Sequence, residues 1–394
     1  MAKKKQRAKI ETRQSFSVAD PALAAYLGVG STSYAGVAVT EKTALGSAAL
    51  WRVVSLLAGT IASLPLKTYR RGDDDTRVAV RSVMDDPGAA ALVGLTPFEW
   101  RELVMVHLLL HGNAYLLHIP NGAGALAGLQ PIHPAYVAVQ ADDQLGKVFR
   151  VSFESGEQRV FSPLDITHIT GLMTDGLVGL DALSMLRQTI GTGIAGDRAA
   201  GKMFSSGLLV SGLVTTEEDL PEVDAKKIKE DLQREAFGWD NSGGVAFVNR
   251  NLKFSSWAMN AEQAQFQEAR AFSVEEISRA YGVPKVLLSQ DGASTWGSGI
   301  AELVRGMQRF TFAPWTSRVE QRLSALLPRP QYVEFDYAGL LQPAPAEEID
   351  LLIRQVEAGL LTVDEARRLR NLPPLPAPLM AAGSEEPEPA GVAS

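Results

Sequence analysis

Cysteine and long hydrophobic runs are both missing from this 394-residue chain. Without thiols the protein can form neither disulfides nor thiolate metal sites, a composition that suits a reducing compartment. The longest apolar stretch, residues 103–117 (LVMVHLLLHGNAYLL), is interrupted by two histidines, a glycine and an asparagine. It is shorter than the ~18–20 apolar residues that cross a bilayer, so we expect no membrane partner.

Net positive charge is also lacking. The chain carries 38 Lys and Arg against 45 Asp and Glu, for a formal charge of −7. Tight binding of nucleic acid depends on neutralising phosphates, so this balance argues against a protein that grips DNA or RNA. The hydrophobic content of 46% predicts a folded protein, and the length allows two or three domains.

The two ends of the chain differ from the middle. Residues 1–46 lack periodicity and begin with a basic cluster, which predicts a flexible N-terminal arm or, alternatively, an arm that contacts a partner. Residues 345–372 carry one helical pattern, from Ile349 to Leu369. Residues 373–394 are rich in Pro, Ala and Glu, and we expect them to be disordered.

Between these ends the pattern mixes helices and strands, which predicts an α+β fold. In the first half we predict helices at 47–63 and 96–112 and strands at 64–70, 113–119, 136–140, 147–153 and 158–161. In the second half we predict a helix at 181–206, a strand at 208–215, a helix at 221–239, a hairpin at 243–257 and a helix at 261–281 capped by Asn260. A loop (285–299) and a long helix (300–327) follow, and Pro314 should kink that helix near Phe310.

One stretch nearly matches a nucleotide-binding loop. In GDRAAGKM the spacing of Gly196, Gly201 and Lys202 is correct, but Met203 replaces the hydroxyl residue that holds magnesium. The preceding residues have a helical period instead of forming the buried strand that such a loop requires. We therefore interpret the match as accidental, and a nucleotide-driven enzyme remains only as an alternative.

Histidines offer the other candidate chemistry. His107 and His111 lie four residues apart on a predicted helix, and with His118 they could form a metal site. No Glu follows His107, so the zinc-protease pattern is missing, and we favour ordinary structural histidines. The sequence predicts no catalytic residue, no metal and no cofactor.

Several stretches, in this order, resemble the portal proteins of tailed bacteriophages, in the branch typical of long-tailed phages. They are HGNAYLLHI, LQPIHPAYVAV, DITHITGL, DGLVGLDALSML and FSSGLLVSGLV, followed by the longest, FSVEEISRAYGVPKVLLSQ with STWGSGIAELVRGMQRFTFAPWTSRVEQRLSALL. The resemblance covers about residues 47–330. It implies a non-enzymatic protein that forms a ring of about twelve copies at one vertex of the capsid.

The resemblance also implies how the ring is divided. Residues 47–180, with 300–340, would form an α/β wing that includes a long kinked helix at 300–328. Residues 181–207 and 259–284 would form the helical stem, 208–258 a small α/β clip, 285–299 a tunnel loop and 345–372 a helical crown. The implied partners are the terminase large subunit, the major capsid protein, head–tail adaptor proteins and double-stranded DNA that passes through non-specifically. The implied location is the virion, with assembly in the host cytoplasm.

Four groups of residues would carry these roles. Lys285, Gln290, Asp291, Ser294, Thr295 and Trp296 would face DNA from the tunnel loop. Glu268, Arg270, Glu275, Glu276 and Arg279 would form stem ion pairs between subunits. Lys226, Lys227, Lys229, Arg234 and Asp240 would meet terminase or adaptor, and Gly282, Pro284 and Pro314 would position the loop.

Simple geometry agrees with a conduit. Twelve helices at ~10 Å spacing around an axis leave a bore of ~28 Å, enough for a duplex about 20 Å wide. An acidic wall would let DNA slide without sticking. A capsid adaptor that never surrounds DNA is the remaining alternative, and a narrower bore would favour it.

Overall fold

The structure is a computed structural model that describes residues 32–72, 74, 76–90, 94–153, 156–205, 211–216, 252–257, 260–288, 298–340 and 345–374. The chain divides into two compact units, Met1–Tyr337 and Ala338–Ser394. Helices and strands mix within the first unit, which confirms the predicted α+β class. Among the helices of the described ranges, none is both long enough and apolar enough to span a membrane.

Three helices come first in the described part of this unit: α1 (Glu41–Leu45), α2 (Ala48–Ser63) and α3 (Pro97–His111). Thr96 fixes the start of α3 through a capping box, in which its Oγ1 accepts from the Glu99 N–H at 3.3 Å and the Glu99 carboxylate accepts from the Thr96 N–H at 2.8 Å. Gly112 ends the helix at a φ of 64°. Helices α2 and α3 pack together through an apolar layer that includes Leu57 and Leu108.

The strands pair as antiparallel ribbons. They are β1 (Leu66–Arg71), β2 (Arg77–Val80), β3 (Asn113–Pro120), β4 (Leu126–Ile132), β5 (Val137–Asp142), β6 (Gly146–Ser152), β7 (Gln158–Phe161), β8 (Ile166–Thr170), β9 (Ser211–Thr216), β10 (Leu252–Trp257) and β11 (Gln331–Phe335). They form sheets in the orders β11-β1-β2, β4-β3-β8, β5-β6-β7 and β10-β9. Tyr115, Phe149 and Ile166 form part of a buried cluster contributed by β3, β5, β6 and β8.

The other helices that the structure describes in the first unit are α4 (Ala182–Met185), α5 (Arg187–Ser205), α6 (Asn260–Tyr281), α7 (Ser298–Met307) and α8 (Ala313–Ser324). The prediction of one continuous helix over 181–206 is wrong in one respect, because α4 ends before Leu186 and α5 begins after it. Helix α6 begins at Asn260 itself, one residue earlier than predicted.

Residues 32–46 are folded, although the sequence predicted that all of residues 1–46 would be a flexible arm. Val37, Val39 and Ala44 are buried. A side chain at Gly191 on α5 would overlap Ser33, so this segment lies directly against α5. The arm boundary predicted at residue 46 is therefore too late, and residues 1–31 lie outside the described part.

Glycines connect the end of α3 to the loop that precedes α4. The Gly171 N–H donates to the Gly112 carbonyl at 2.8 Å, and a Cβ at Gly179 would overlap Gly112. Asn113 closes the connection, because its Oδ1 accepts from the Gly179 N–H at 2.7 Å and its Nδ2 donates to the Gly179 carbonyl at 2.9 Å. We call this contact the glycine junction.

The second unit contains α9 (Pro345–Glu357) and α10 (Val363–Leu369). The sequence predicted one helical pattern here, but Gly359 has a φ of 70° and separates two helices. Thr362 begins α10 with a capping box to Glu365. An ion pair of 2.7 Å between Arg370 and Glu348 joins the two helical segments.

Candidate functional site

The end of helix α6 determines where the chain enters the predicted tunnel loop. Gly282 has a φ of +66°, a left-handed conformation that terminates the helix. The Val283 N–H donates to the Ser278 carbonyl at 3.0 Å, and the Ser278 hydroxyl donates to the Val283 carbonyl. Pro284 then begins a 3₁₀ turn, Lys285–Leu287. These contacts give the chain one exit direction, in keeping with the predicted positioning roles of Gly282 and Pro284.

Two further hydrogen bonds hold this helix end. The buried Tyr281 hydroxyl donates to the Leu109 carbonyl at 3.0 Å, and burial raises the pKa of Tyr281. Leu109 lies in the last turn of α3, where carbonyls lack a partner within the helix. On the other side, the Thr311 hydroxyl donates to the Gly282 carbonyl at 2.7 Å.

Thr311 reaches Gly282 from an irregular turn in the long helix. Between α7 and α8 the chain forms a π-helical turn, Gln308–Phe312, which ends two residues before Pro314. Proline has no N–H for the carbonyl four residues earlier, so the regular α-helical bonding must change there. The sequence expected a kink near Phe310, and the structure has its irregularity at that position.

Helices α5 and α6 contact each other through small and polar residues. Thr189 donates to the Glu276 carboxylate at 2.9 Å, and a Cβ at Gly193 would lie 3.7 Å from the Ser273 Cβ. On α6, Arg279 pairs with Glu275 at 3.3 Å within one subunit. The predicted pairing of these residues across subunits stays a prediction, as it does for Glu268 and Arg270, whose side chains lie outside the described part.

Of the other residues predicted to contact DNA, terminase or adaptor, the structure describes Lys285 alone. Lys285 is exposed on the 3₁₀ turn. Five tunnel-loop residues (Gln290, Asp291, Ser294, Thr295, Trp296) and five clip residues (Lys226, Lys227, Lys229, Arg234, Asp240) lie outside the described residues. Their roles stay predictions.

The nucleotide-loop match lies inside a helix. Helix α5 runs without interruption from Arg187 to Ser205 and includes the whole Gly196–Met203 stretch. A phosphate cradle needs a loop whose amides point at the ligand, but amides inside a helix already bond to carbonyls one turn earlier. The interpretation of this match as accidental is therefore confirmed.

The structure does not bring together the three histidines that the sequence suggested as a possible metal site. His118 pairs with the Thr167 hydroxyl at 2.7 Å, whereas the potential ligand group in the described part of the chain consists of Glu41, His111 and His133. His107 is nearby, with its ring centroid 5.2 Å from that of His133, and burial lowers its pKa to about 3. Glu41 is 70 and 92 residues from its two partners, so no local spacing could have indicated the group.

A second buried network joins three strands. Lys147 donates to His168 Nδ1 at 2.9 Å, so His168 Nε2 carries the ring proton and donates to Asn113 Oδ1 at 2.9 Å. Burial lowers the pKa of Lys147 to about 8 and holds the pKa of His168 well below its ordinary value. The network supports the glycine junction through Asn113 and contains no nucleophile.

The fold and these contacts define an α+β protein in which α5 packs beside α6, and α6 ends in a fixed exit turn that precedes a long irregular helix. The family model for phage portal proteins matches residues 48–371. The chain therefore belongs to the phage portal protein family.

Similarities to individual proteins are consistent with this family assignment. A probable portal protein of Streptomyces phage phiC31 is 32% identical over 88% of this chain and 79% of its own length. A portal protein of the HK97 family from Corynebacterium diphtheriae, known from its crystal structure, has a TM-score of 0.58 at 21% identity and covers 78% of this chain and all of its own. A chain from the neck of a native gene transfer agent particle, computed with C12 symmetry, has a TM-score of 0.54 at 22% identity over 84% of this chain and 91% of its own.

Proposed function

We propose that this chain forms a ring of about twelve copies at one vertex of a capsid and that double-stranded DNA enters and leaves through the ring. The observation that carries the proposal is the family match over residues 48–371. The similarity to a chain in a twelve-fold neck supports the copy number. A head-to-tail interface closes into a ring when its rotation divides evenly into a full turn.

Helix dimensions support a conduit. Helix α6 has 22 residues, so it is about 33 Å long at a rise of 1.5 Å per residue. Twelve such helices around an axis leave the bore of ~28 Å estimated above, which admits a duplex with a layer of water. The contacts of Gly282 and Pro284 would then direct residues 285–299 toward DNA as the tunnel loop.

The ring is tested by measuring the mass of the purified full-length protein. Twelve chains of 42.3 kDa give a particle of about 0.5 MDa, with an axial hole in electron micrographs. A monomer that persists at high concentration would contradict the ring. A ring whose hole is narrower than a duplex would favour the adaptor alternative.

The conduit is tested by reversing charge in the tunnel loop. Asp291→Arg would place one cation per subunit at the DNA path, and we expect a lower yield of filled heads in a packaging assay because each neutralised phosphate strengthens binding. Asp143→Arg, in the exposed turn between β5 and β6, is the matched control. Equal DNA filling in both variants would show that the loop does not face DNA.

We further propose that residues 208–258 form a clip that binds the terminase large subunit during packaging and head–tail adaptor proteins afterwards. The major capsid protein would surround the ring, and the protein would reside in the virion after assembly in the host cytoplasm. The triple variant Lys226→Glu/Lys227→Glu/Lys229→Glu should weaken terminase binding in a pull-down while the ring stays intact. Unchanged binding would place the docking surface elsewhere.

A further inference from the structure

A carboxylate and two imidazoles converge beside the wing helices. Glu41 Oε2 lies 3.1 Å from His111 Nε2 and 2.9 Å from His133 Nε2, and the three atoms all lie within 4.8 Å of one another. Glu41 begins α1, His111 ends α3, and His133 precedes a 3₁₀ turn, Pro134–Tyr136. The group therefore joins three separate elements of the first unit.

A third histidine and two unpaired ring nitrogens lie beside this group. The Nδ1 atoms of His107 and His111 are buried and have no hydrogen-bond partner among the described residues. The rings of His107 and His111 lie 5.2 and 5.4 Å from the ring of His133. Two of the three histidines contact the Glu41 carboxylate, and His107 packs against the ring of His133.

We propose that Glu41, His111 and His133 bind a divalent transition-metal ion of the zinc class. Imidazole and carboxylate are the donors that zinc uses in sites without cysteine. At zinc–ligand distances of 2.0–2.2 Å, tetrahedral donors lie roughly 3.3 Å apart, so small side-chain rotations suffice. A glutamate carboxylate is ionised at neutral pH, so Glu41 can supply an anionic oxygen ligand.

Metal binding would change the hydrogen bonds of both ligating rings. His133 Nδ1 accepts from the Ala135 N–H at 3.2 Å, so its Nε2 carries the ring proton and donates to Glu41. With a metal at Nε2 the proton would move to Nδ1, and the Ala135 bond would be lost. His111 Nδ1 would become a buried donor without a partner. These changes predict a weaker affinity than that of closed structural zinc sites.

The fourth coordination position would hold water. The side chains of Glu41 and His133 are 30% and 32% exposed, so solvent reaches that side of the group. The metal would attach residues 32–46 to the wing helices, and the same segment lies against α5 at Gly191. A structural role follows, in which the ion secures the segment that precedes the wing.

The test uses the full-length protein, stripped of metal with a chelator and dialysed against ZnCl₂. We expect one bound zinc per chain and a melting temperature raised by several degrees, since a ligand that binds only the folded state stabilises it. Glu41→Gln and His133→Gln should each reduce bound zinc to background and abolish the shift. His118→Gln, whose ring pairs with Thr167 on β8, should bind zinc as the wild type does.

X-ray absorption at the zinc edge provides a second readout. It needs only the wild-type protein, so it remains valid even if either variant folds poorly. The wild-type ion should show two imidazoles and oxygen donors in its first shell. No bound zinc in the wild type would overturn the proposal. So would equal stoichiometry in the wild type and both ligand variants, because the metal would then bind elsewhere.

Discussion

Gly282 shows how a single residue determines the path of the chain. Its φ of +66° strains any residue that carries a Cβ, and a Cβ there would lie 3.3 Å from the Thr311 hydroxyl. We therefore expect Gly282→Ala to lower the free energy of unfolding by about 1–2 kcal/mol. Chemical denaturation of the purified protein measures this change.

Gly306→Ala is the matched control for this substitution. Gly306 lies in α7, and a Cβ there would have no neighbour within 4 Å. Replacing a helical glycine by alanine should stabilise the protein by roughly 0.5–1 kcal/mol. If both variants shift stability in the same direction, the conformation assigned to Gly282 is wrong. We also expect Gly282→Val and Pro284→Ala to reduce DNA packaging more than they reduce folding.

His168 should make the protein sensitive to acid. Burial keeps the pKa of the folded-state imidazole well below the value of 6.5 that applies after unfolding. Below pH 6.5 the unfolded state therefore binds a proton that the folded state does not, and the free energy of unfolding should fall by up to about 1.4 kcal/mol per pH unit. His168→Gln should reduce this pH dependence, as measured by denaturation between pH 7.5 and 5, while the part due to the buried His107 should remain.

The half-buried His118 supplies the comparison. His118→Gln should change the pH dependence less, because solvent reaches its ring and the folded state can accept the proton there more easily. At pH 7.5, His168→Gln should cost about 1–3 kcal/mol, since the Lys147 and Asn113 bonds are disturbed. An unchanged slope for His168→Gln would contradict the assignment of a buried neutral imidazole.

At the scale of elements, the tie between α3 and α6 is one hydrogen bond. Tyr281→Phe would leave the Leu109 carbonyl without its partner at the end of α3. We expect a loss of about 1–3 kcal/mol, the range for a buried polar group left unsatisfied. Thermal unfolding measures it, with Tyr136→Phe as the control because Tyr136 is 45% exposed. Equal stability of the two variants would show that the tie contributes nothing.

The sequence predicted helices better than sheets. α2, α3 and α6 have clear apolar periods and end signals, such as Gly112 and Gly282, and their bounds agree with the structure to within about two residues. Four strands, β2, β4, β8 and β11, were missed. β4 (LAGLQPI) contains glycine and proline, and β11 pairs with β1 across more than 250 residues, a contact without a local signal.

The exit turn and the possible metal site also differ in how far the sequence could predict them. The exit turn after α6 was predictable because Gly282 and Pro284 act through their own backbone restrictions. The group of Glu41, His111 and His133 was not, because it depends on how α1 and a 3₁₀ turn are placed beside α3. His118, which the sequence allowed as a partner of His107 and His111, instead pairs with Thr167.

At the scale of the whole assembly, the net charge of one chain is multiplied by the number of copies in the ring. A ring of twelve chains would carry a formal charge of about −84, twelve times the −7 of one chain. We expect the ring to show no saturable binding of labelled duplex at micromolar concentration and physiological salt, as measured by fluorescence anisotropy. Submicromolar affinity with a steep dependence on salt would contradict a non-adhesive channel.

The glycine junction has a mechanical consequence for such a ring. Gly112, Gly171 and Gly179 bring two stretches of main chain together without intervening side chains, and Asn113 bonds both the N–H and the carbonyl of Gly179. The one side chain in the joint, Asn113, is held at both its Oδ1 and its Nδ2 by Gly179. We therefore expect a displacement of the loop that precedes α4 to move the end of α3 with it, because main chain contacts main chain at that point.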